Sequence, residues 1–117
     1  SMYGGAQKHV CAIHGAALVL ILASMKTDTP RIAVLGCGYW GRNLVRNFQE
    51  LGALEIVCDP TDEGQNTARK IAPSARVCGD YREVLEDRHI EGVAIATPAI
   101  THAILTQEFL HAGKDVM

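Results

Sequence analysis

The sequence of 117 residues lacks several features that would point to a metal, a nucleic acid or a membrane. No Cys-x-x-Cys pair occurs among its four cysteines, so we expect no structural zinc site. The net charge is −2 and the charged residues are scattered, so there is no basic stripe that would bind nucleic acid. The longest apolar run, Val10 to Ala23, is shorter than the roughly 20 residues that a membrane-spanning helix needs. We therefore expect no metal, no nucleic-acid partner and no membrane span.

The first 29 residues differ in pattern from the remainder of the chain. We expect residues 1–29 to form an extension or linker, in which the apolar run 10–23 packs as a helix on the domain surface. An export or membrane role is the alternative for this run. Residues 30–117 have the length of one compact domain. Three cysteines follow or end apolar runs, which is typical of reduced, buried thiols and predicts a cytoplasmic protein.

From residue 31 onward, short apolar runs alternate with amphipathic helical patterns. Continuous apolar runs of this length indicate strands that are buried on both faces of a parallel sheet. Their alternation with helices of about a dozen residues indicates right-handed βαβ units. The predicted fold class is therefore α/β, with a doubly wound parallel sheet that is truncated at its fifth strand, at residue 115. The predicted strands are 31–35, 54–58, 76–78 and 92–96, and the predicted helices are 40–51, 62–72, 80–87 and 100–112.

The helical patterns also predict which residues face the sheet. Asp80 and Glu83 form an approximate capping box at the start of the third helix. Gly52 and Gly113 are expected to end the first and last helices. The inward positions predicted for helix 40–51 are Gly41, Leu44, Val45, Phe48 and Leu51, and those for helix 100–112 are Ala103, Ile104, Gln107, Leu110 and His111.

Three glycines in "VLGCGYWGRN" fall directly after the first predicted strand, where the next helix begins. This context is the one that the dinucleotide-binding (Rossmann) fingerprint G-x-G-x-x-G requires. Gly36 would allow the tight turn, Gly38 the close approach of a pyrophosphate, and Gly41 the packing of helix on strand. Tyr39 and Trp40 occupy the first helical turn, and we expect their rings to point along the crevice. The competing interpretation is a tight strand–helix turn without a ligand.

Asp59 strengthens the dinucleotide interpretation because it follows the second predicted strand, 18 residues after Gly41. An acidic residue about 20 residues beyond the glycines meets the adenosine ribose diol in this fold. The simpler interpretation is that Asp59 and Pro60 form an ordinary turn. We predict that NAD is the cofactor, because no arginine follows Asp59 to neutralise the 2′-phosphate of NADP.

The end of the fourth predicted strand supplies the second wall of the site. In a doubly wound sheet, ligands bind where the strand order reverses, outside the carboxyl ends of the first and fourth strands. Thr97 and Pro98 would therefore face the Gly38 loop. His102 follows on the next helix, where a packing or polar role beside the nicotinamide and a plain capping role are equally compatible with its position. It is a weak candidate for catalysis, and we assign no other catalytic residue.

The combination of "IAVLGCGYWGRNLVRNF", "IVCDP", "DYREVLED" and "GVAIATPAITHAILTQEFLHAGKDVM" resembles the N-terminal domain of the Gfo/Idh/MocA oxidoreductases. The resemblance implies hydride transfer to NAD from a sugar hydroxyl carbon. In that family, the strand that begins like Lys114-Asp115-Val116-Met117 continues into a Glu-Lys-Pro motif with the catalytic lysine. A C-terminal domain then supplies the remaining substrate contacts and the oligomer interface. The resemblance thus implies a truncated cofactor domain that binds NAD without turnover, and a full-length homo-oligomer.

The sequence says less about the identity of the substrate than about that of the cofactor. The G-Y-W-G loop, followed by Asn43, looks most like dehydrogenases of UDP-N-acetylglucosamine-type sugar nucleotides. Two other functions remain open. One is a non-enzymatic NAD-binding module that senses redox state. The other is a methyltransferase-like domain that binds S-adenosylmethionine, which the third glycine and the Thr97-Pro98 pair disfavour.

Overall fold

The computed structural model describes residues 29–117, which form a parallel β-sheet covered by helices on both faces. Val10–Ala23, the predicted extension helix, lies outside the described residues. The strands are β1 (Ile32–Leu35), β2 (Leu54–Cys58), β3 (Arg76–Cys78), β4 (Gly92–Ile95) and β5 (Asp115–Val116), and the helices are α1 (Gly41–Glu50), α2 (Asp62–Ile71), α3 (Tyr81–Glu86) and α4 (Ala99–His111). Each boundary lies within one residue of its predicted position.

The strand order is β3-β2-β1-β4-β5, and all four pairings are parallel. The first strand therefore lies at the centre of the sheet, with β2 on one side and β4 on the other. This order places a topological switch point between β1 and β4, where successive connections run in opposite directions across the sheet. The predicted doubly wound α/β fold is confirmed, and the switch point lies at the carboxyl ends of β1 and β4.

Two hydrophobic cores lie on opposite faces of the sheet because successive strand residues point to opposite sides. One core contains the buried faces of α1 and α2, and the other contains those of α3 and α4. Phe48 and Phe109 are the largest fully buried side chains, one in each core. All four residues of β1 and all four of β4 are buried, as expected for central strands covered on both faces.

The inward face predicted for the last helix is wrong. The buried residues of α4 are Leu105 and Phe109, whereas Ile104 is 58% exposed. Ala103, Gln107 and His111 are also exposed, and Leu110 is only partly buried. Apolar residues lie on several sides of this helix, so its sequence contains two apolar stripes that could face the sheet. The stripe with Phe109 faces the sheet because an aromatic ring buries more apolar surface than the alternatives.

Two smaller predictions also need correction. Leu51 is 37% exposed and follows the last residue of α1 as its C-cap, while Gly52 takes the positive φ of 72° that ends the helix. At the start of α3, the Asp80 carboxylate caps the helix as expected, but it accepts from the Arg82 N–H rather than from that of Glu83.

Lys114 is buried at the opposite edge of the sheet from the switch point. It precedes β5, and its ammonium group donates to the carbonyl oxygens of Asp87 (2.6 Å) and Ile90 (3.0 Å). Both carbonyls belong to the turn that leads into β4. Lys114 therefore ties this turn to the start of β5, away from the crevice. Within residues 29–117, no helix is both long and apolar enough to cross a bilayer.

Candidate functional site

A cavity of about 640 Å³ opens at the carboxyl ends of β1, β2 and β4. It begins at the switch point, runs past the end of β2 and reaches the loop after β3. The charged residues that line it are Asp59 and Glu108, and none of its described lining residues is lysine or arginine. The lining residues are Leu35, Gly36, Gly38, Cys58, Asp59, Pro60, Thr61, Gly79, Tyr81, Ala96, Thr97, Pro98, Thr101, Ile104, Leu105 and Glu108.

The three glycines of the loop each meet a different steric requirement. Gly36 has a φ of 96°, and a Cβ there would lie 3.0 Å from the carbonyl oxygen of Ala96. At Gly41 a Cβ would overlap the carbonyl oxygen of Gly36, so the helix can pack this close only without a side chain. Gly38 is different, because a Cβ there would meet nothing within 4 Å. The backbone at Gly38 is therefore open to a ligand in the cavity.

Asp59 holds the glycine loop to the end of β2. It is 7% exposed, and its carboxylate accepts from the N–H of Cys37 (2.8 Å) and from the N–H and hydroxyl of Thr61 (2.8 and 2.6 Å). Burial alone would raise the pKa of Asp59, but these hydrogen bonds outweigh it and hold the pKa below its usual range. Asp59 is thus an ionised acceptor that lines the cavity.

Helix α2 approaches this carboxylate closely because Gly64 has no side chain. A Cβ at Gly64 would overlap the carboxyl group of Asp59. Thr61 is the N-cap of α2, and its hydroxyl accepts from the Gly64 N–H at 3.0 Å while it donates to Asp59. Sequence reasoning missed Gly64, although its place three residues after a threonine N-cap is a local signal.

Thr97 and Pro98 line the same cavity as Gly36 and Gly38 of the glycine loop. The hydroxyl oxygen of Thr97 is buried and has no hydrogen-bond partner within the described part of the chain. An unpartnered buried hydroxyl costs about 1–3 kcal/mol. Because Thr97 lines the cavity, a polar ligand group there is one means of satisfying it.

The remaining predicted site residues do not line the cavity. Tyr39 is 82% exposed and Trp40 is 55% exposed, so their rings do not run along the crevice. Instead, the guanidinium of Arg42 lies 5.6 Å from the centre of the Tyr39 ring. His102 lies on the first turns of α4, where its Nδ1 is 3.5 Å from the hydroxyl of Thr106. Gly41 acts behind the loop, where it permits the close packing described above.

The far end of the cavity was not predicted from the sequence. There Tyr81, the first residue of α3, donates its hydroxyl to both carboxylate oxygens of Glu108, at 2.9 and 3.1 Å. These residues are far apart in the chain and belong to no motif. Thr101 and Ile104 of α4 line the same region.

The described cysteines are free thiols, of which Cys37 and Cys58 are buried and Cys78 is half-buried. Burial raises the pKa of Cys58, which lines the cavity, and the neighbouring Cys78 thiol raises it further. Cys58 is therefore protonated at neutral pH and is a poor nucleophile. No cluster of three or more metal-ligating side chains occurs within residues 29–117.

The oxidoreductase family model GFO_IDH_MocA, described as an NAD-binding Rossmann fold, matches residues 30–117. The chain belongs to this family. Inositol 2-dehydrogenase from Rhodococcus jostii is 36% identical over 90 residues, which cover 74% of this chain and 25% of the relative. D-apiose dehydrogenase from Paraburkholderia graminis is 28% identical over a match that covers 80% of this chain and 26% of the relative. The chain thus spans about a quarter of the length of these relatives.

Solved structures share the fold. A myo-inositol dehydrogenase from Corynebacterium glutamicum superposes with a TM-score of 0.66 and 29% identity, over 76% of this chain and 27% of that one. The WlbA dehydrogenase from Bordetella pertussis, solved with NADH and UDP-GlcNAcA, superposes with a TM-score of 0.67 and 24% identity. The match covers 76% of this chain and 28% of that one. The family and the fold inferred from the sequence are both confirmed.

Proposed function

We propose that this chain is the NAD-binding domain of an oxidoreductase that acts at a CH–OH carbon of a sugar, polyol or sugar nucleotide. The observation that carries the proposal is the open backbone at Gly38, which faces a cavity at the topological switch point. Dinucleotides bind at this place in doubly wound sheets. Membership of an NAD-binding oxidoreductase family supports the same conclusion.

The residues of the cavity fit NAD. The Gly38 backbone and the first turn of α1 suit a pyrophosphate, since a helix N-terminus attracts anions. The carboxylate of Asp59 suits the ribose diol, because its Oδ2 accepts only from the Cys37 N–H and retains capacity to accept another hydrogen bond. The orphaned hydroxyl of Thr97 offers a donor or acceptor from the opposite wall.

The charge of the cavity favours NAD over NADP. A 2′-phosphate beside Asp59 would meet a carboxylate and no lining lysine or arginine among the described residues. Two like charges 4 Å apart repel by about 1 kcal/mol in water and about 4 kcal/mol at an effective dielectric of 20. We therefore propose a preference for NAD of about tenfold to several hundredfold.

When bound, NAD supplies a hydride acceptor for the oxidation of an alcohol carbon. The residues of this chain bind and orient the cofactor. Leu35 and Cys58, buried at the ends of β1 and β2, exclude water from one side of the cavity. His102 has only Thr106 within hydrogen-bond distance in the described residues, so we propose a positioning role for it rather than proton transfer. We propose that residues 30–117 supply cofactor binding rather than the whole reaction, because the match covers only 25% of the length of the relative.

Titration calorimetry on the full chain tests the proposal. NAD should bind with a measurable heat, and NADP should bind at least tenfold more weakly. Gly38→Val should abolish binding of NAD because a branched side chain would occupy the open space at the loop. The thermal midpoint of Gly38→Val should stay close to that of the parent, which separates lost binding from lost folding. Binding by Gly38→Val within threefold of the parent would show that the loop does not hold the pyrophosphate.

We also propose a substrate class, a location and an oligomeric state for the full-length protein. The loop sequence around Tyr39 and Trp40 supports a UDP-N-acetylglucosamine-type substrate, whereas the curated relatives are named for inositol and apiose. We also propose a cytoplasmic homo-oligomer, on the basis of the free thiols and the family resemblance. A redox-sensing NAD module is the alternative. It predicts that the full-length protein binds NAD and NADH with different affinities but reduces NAD with no polyol or sugar nucleotide.

A further inference from the structure

The cavity continues beyond Asp59, on the side of the sheet towards β3. This region, which we call the distal slot, is lined by the segment after β3 and by one face of α4. The residues that define the distal slot are Gly79, Tyr81, Thr101, Ile104, Leu105 and Glu108. Most of its surface comes from apolar side chains and the glycine backbone. The slot has the composition that a flat aromatic base prefers, with very few polar groups to fix its orientation.

Glu108 is the one charged group of the distal slot, and Tyr81 holds it in place. The Tyr81 hydroxyl lies 2.9 Å from one carboxylate oxygen of Glu108 and 3.1 Å from the other. The Tyr81 ring is itself held by Phe109, with ring centres 6.3 Å apart and planes tilted by 57°. One hydroxyl proton satisfies only part of the acceptor capacity of a carboxylate, which can accept about four hydrogen bonds. Glu108 can therefore accept from a ligand without losing Tyr81.

The order of groups along the cavity indicates which part of the cofactor reaches the slot. The proposed function places the pyrophosphate at Gly38 and the adenosine ribose at Asp59. The chain of NAD then continues from the ribose to the base. Gly79 and Tyr81 of the distal slot follow β3, the strand that pairs with β2 next to Asp59. Adenine presents its exocyclic amine as a donor, whereas hypoxanthine presents a carbonyl oxygen at the same position.

We propose that Glu108, positioned by Tyr81, accepts a hydrogen bond from the exocyclic amine of adenine and so selects the 6-aminopurine dinucleotide. This inference rests on the proposed function. A carboxylate is only an acceptor, so the carbonyl of hypoxanthine would donate nothing to Glu108 and would place two acceptors together. The competing explanation is that the Tyr81–Glu108 pair only ties α3 to α4, in which case it affects stability and not base preference.

The test compares the affinities of the full chain for NAD and for nicotinamide hypoxanthine dinucleotide by calorimetry. The parent should prefer NAD by about tenfold to a hundredfold, the range that one hydrogen bond to a charged group supplies. Glu108→Gln should bring the two affinities within about threefold, because an amide can turn to accept from the amine or to donate to the carbonyl. Tyr81→Phe should lose part of the preference, since the carboxylate is then no longer oriented. Glu50→Gln, at the end of α1, is the matched control and should keep the parental preference.

The possible results distinguish the role of Glu108 from the binding of NAD itself. Equal affinities in the parent, or an unchanged preference in Glu108→Gln, would overturn the role of Glu108 while leaving NAD binding intact. A fall in thermal stability without a change in preference would show that the pair is only a structural tie. Failure of the parent to bind either dinucleotide would overturn the proposed function, and the base selection with it.

Discussion

At the scale of single residues, the glycines of the loop are not interchangeable. Gly38 faces open space, whereas a Cβ at Gly41 would overlap the backbone of Gly36. The sequence indicated all three positions, because the G-x-G-x-x-G spacing follows directly from this geometry. It did not indicate Gly64, whose role is to let α2 approach the Asp59 carboxylate.

The first prediction compares Gly41→Ala with Gly38→Ala. Gly41→Ala should lower the free energy of unfolding by about 3 kcal/mol, because backbone atoms must move to admit the methyl group. Gly38→Ala should change it by less than about 0.5 kcal/mol, since the added methyl group meets nothing. Urea denaturation of both variants measures the difference. Equal stabilities of the two variants would mean that α1 does not pack on the loop as described.

The second prediction concerns Asp59 and pH. Its pKa is lowered in the folded state, so its stabilising contribution is complete above the unfolded pKa of about 3.9 and is lost as the pH falls through the lower folded value. Asp59→Asn should therefore be less stable than the parent by about 1–3 kcal/mol near neutral pH. This gap should shrink as the pH falls below about 4. A gap that stays constant during denaturation at successively lower pH would contradict the hydrogen bonds assigned to the carboxylate.

At the scale of elements, the strands were easier to predict than the helix faces. β1 is a continuous apolar run that ends before Gly36, and β2 and β3 end before Asp59 and Gly79, so these bounds follow from the sequence. The orientation of α4 did not follow, because apolar residues such as Ile104 and Leu105 lie on several of its sides. The packing of Phe109 beside Tyr81 decided the orientation, and this contact joins residues that are distant in the sequence.

The same limit applies to the candidate site. Its first half, from Gly36 to Asp59 and across to Thr97, could be predicted because each residue follows a strand at a position fixed by the fold. The distal slot could not, because it depends on how α3 and α4 meet. The outward direction of Trp40 could not be predicted from the sequence either, since spacing places a side chain on a turn but does not orient it.

The third prediction concerns the N-cap of α2. Thr61→Val keeps the shape of the side chain but removes the hydroxyl that accepts from Gly64 and donates to Asp59. It should lower the free energy of unfolding by about 1–2 kcal/mol. Thr61→Ser keeps the hydroxyl and should lie within about 0.5 kcal/mol of the parent. Urea denaturation measures both variants. Equal stabilities of Thr61→Val and Thr61→Ser would argue against a capping role for the Thr61 hydroxyl.

At the scale of the whole molecule, the two edges of the sheet serve different purposes. The carboxyl edge carries the cavity, the glycine loop and the exposed aromatic rings of Tyr39 and Trp40. The opposite edge is tied together by the buried ammonium of Lys114. The Lys114 contacts and the candidate site are thus separated by the length of the strands. The predicted division at residue 30, the homo-oligomer and the cytoplasmic location remain predictions.

The chain contains a single tryptophan, Trp40, which is the N-cap of α1 and immediately precedes Gly41 of the glycine loop. Binding of NADH at this loop should therefore allow energy transfer from the excited indole to the reduced nicotinamide. The most direct test of the account is to excite Trp40 while NADH is added and to record the sensitised emission. We predict a saturable signal that excess NAD removes and that Gly38→Val lacks. Two results would contradict a cofactor site at the switch point. One is saturable NADH binding by calorimetry without sensitised emission, and the other is saturable NADH binding by Gly38→Val.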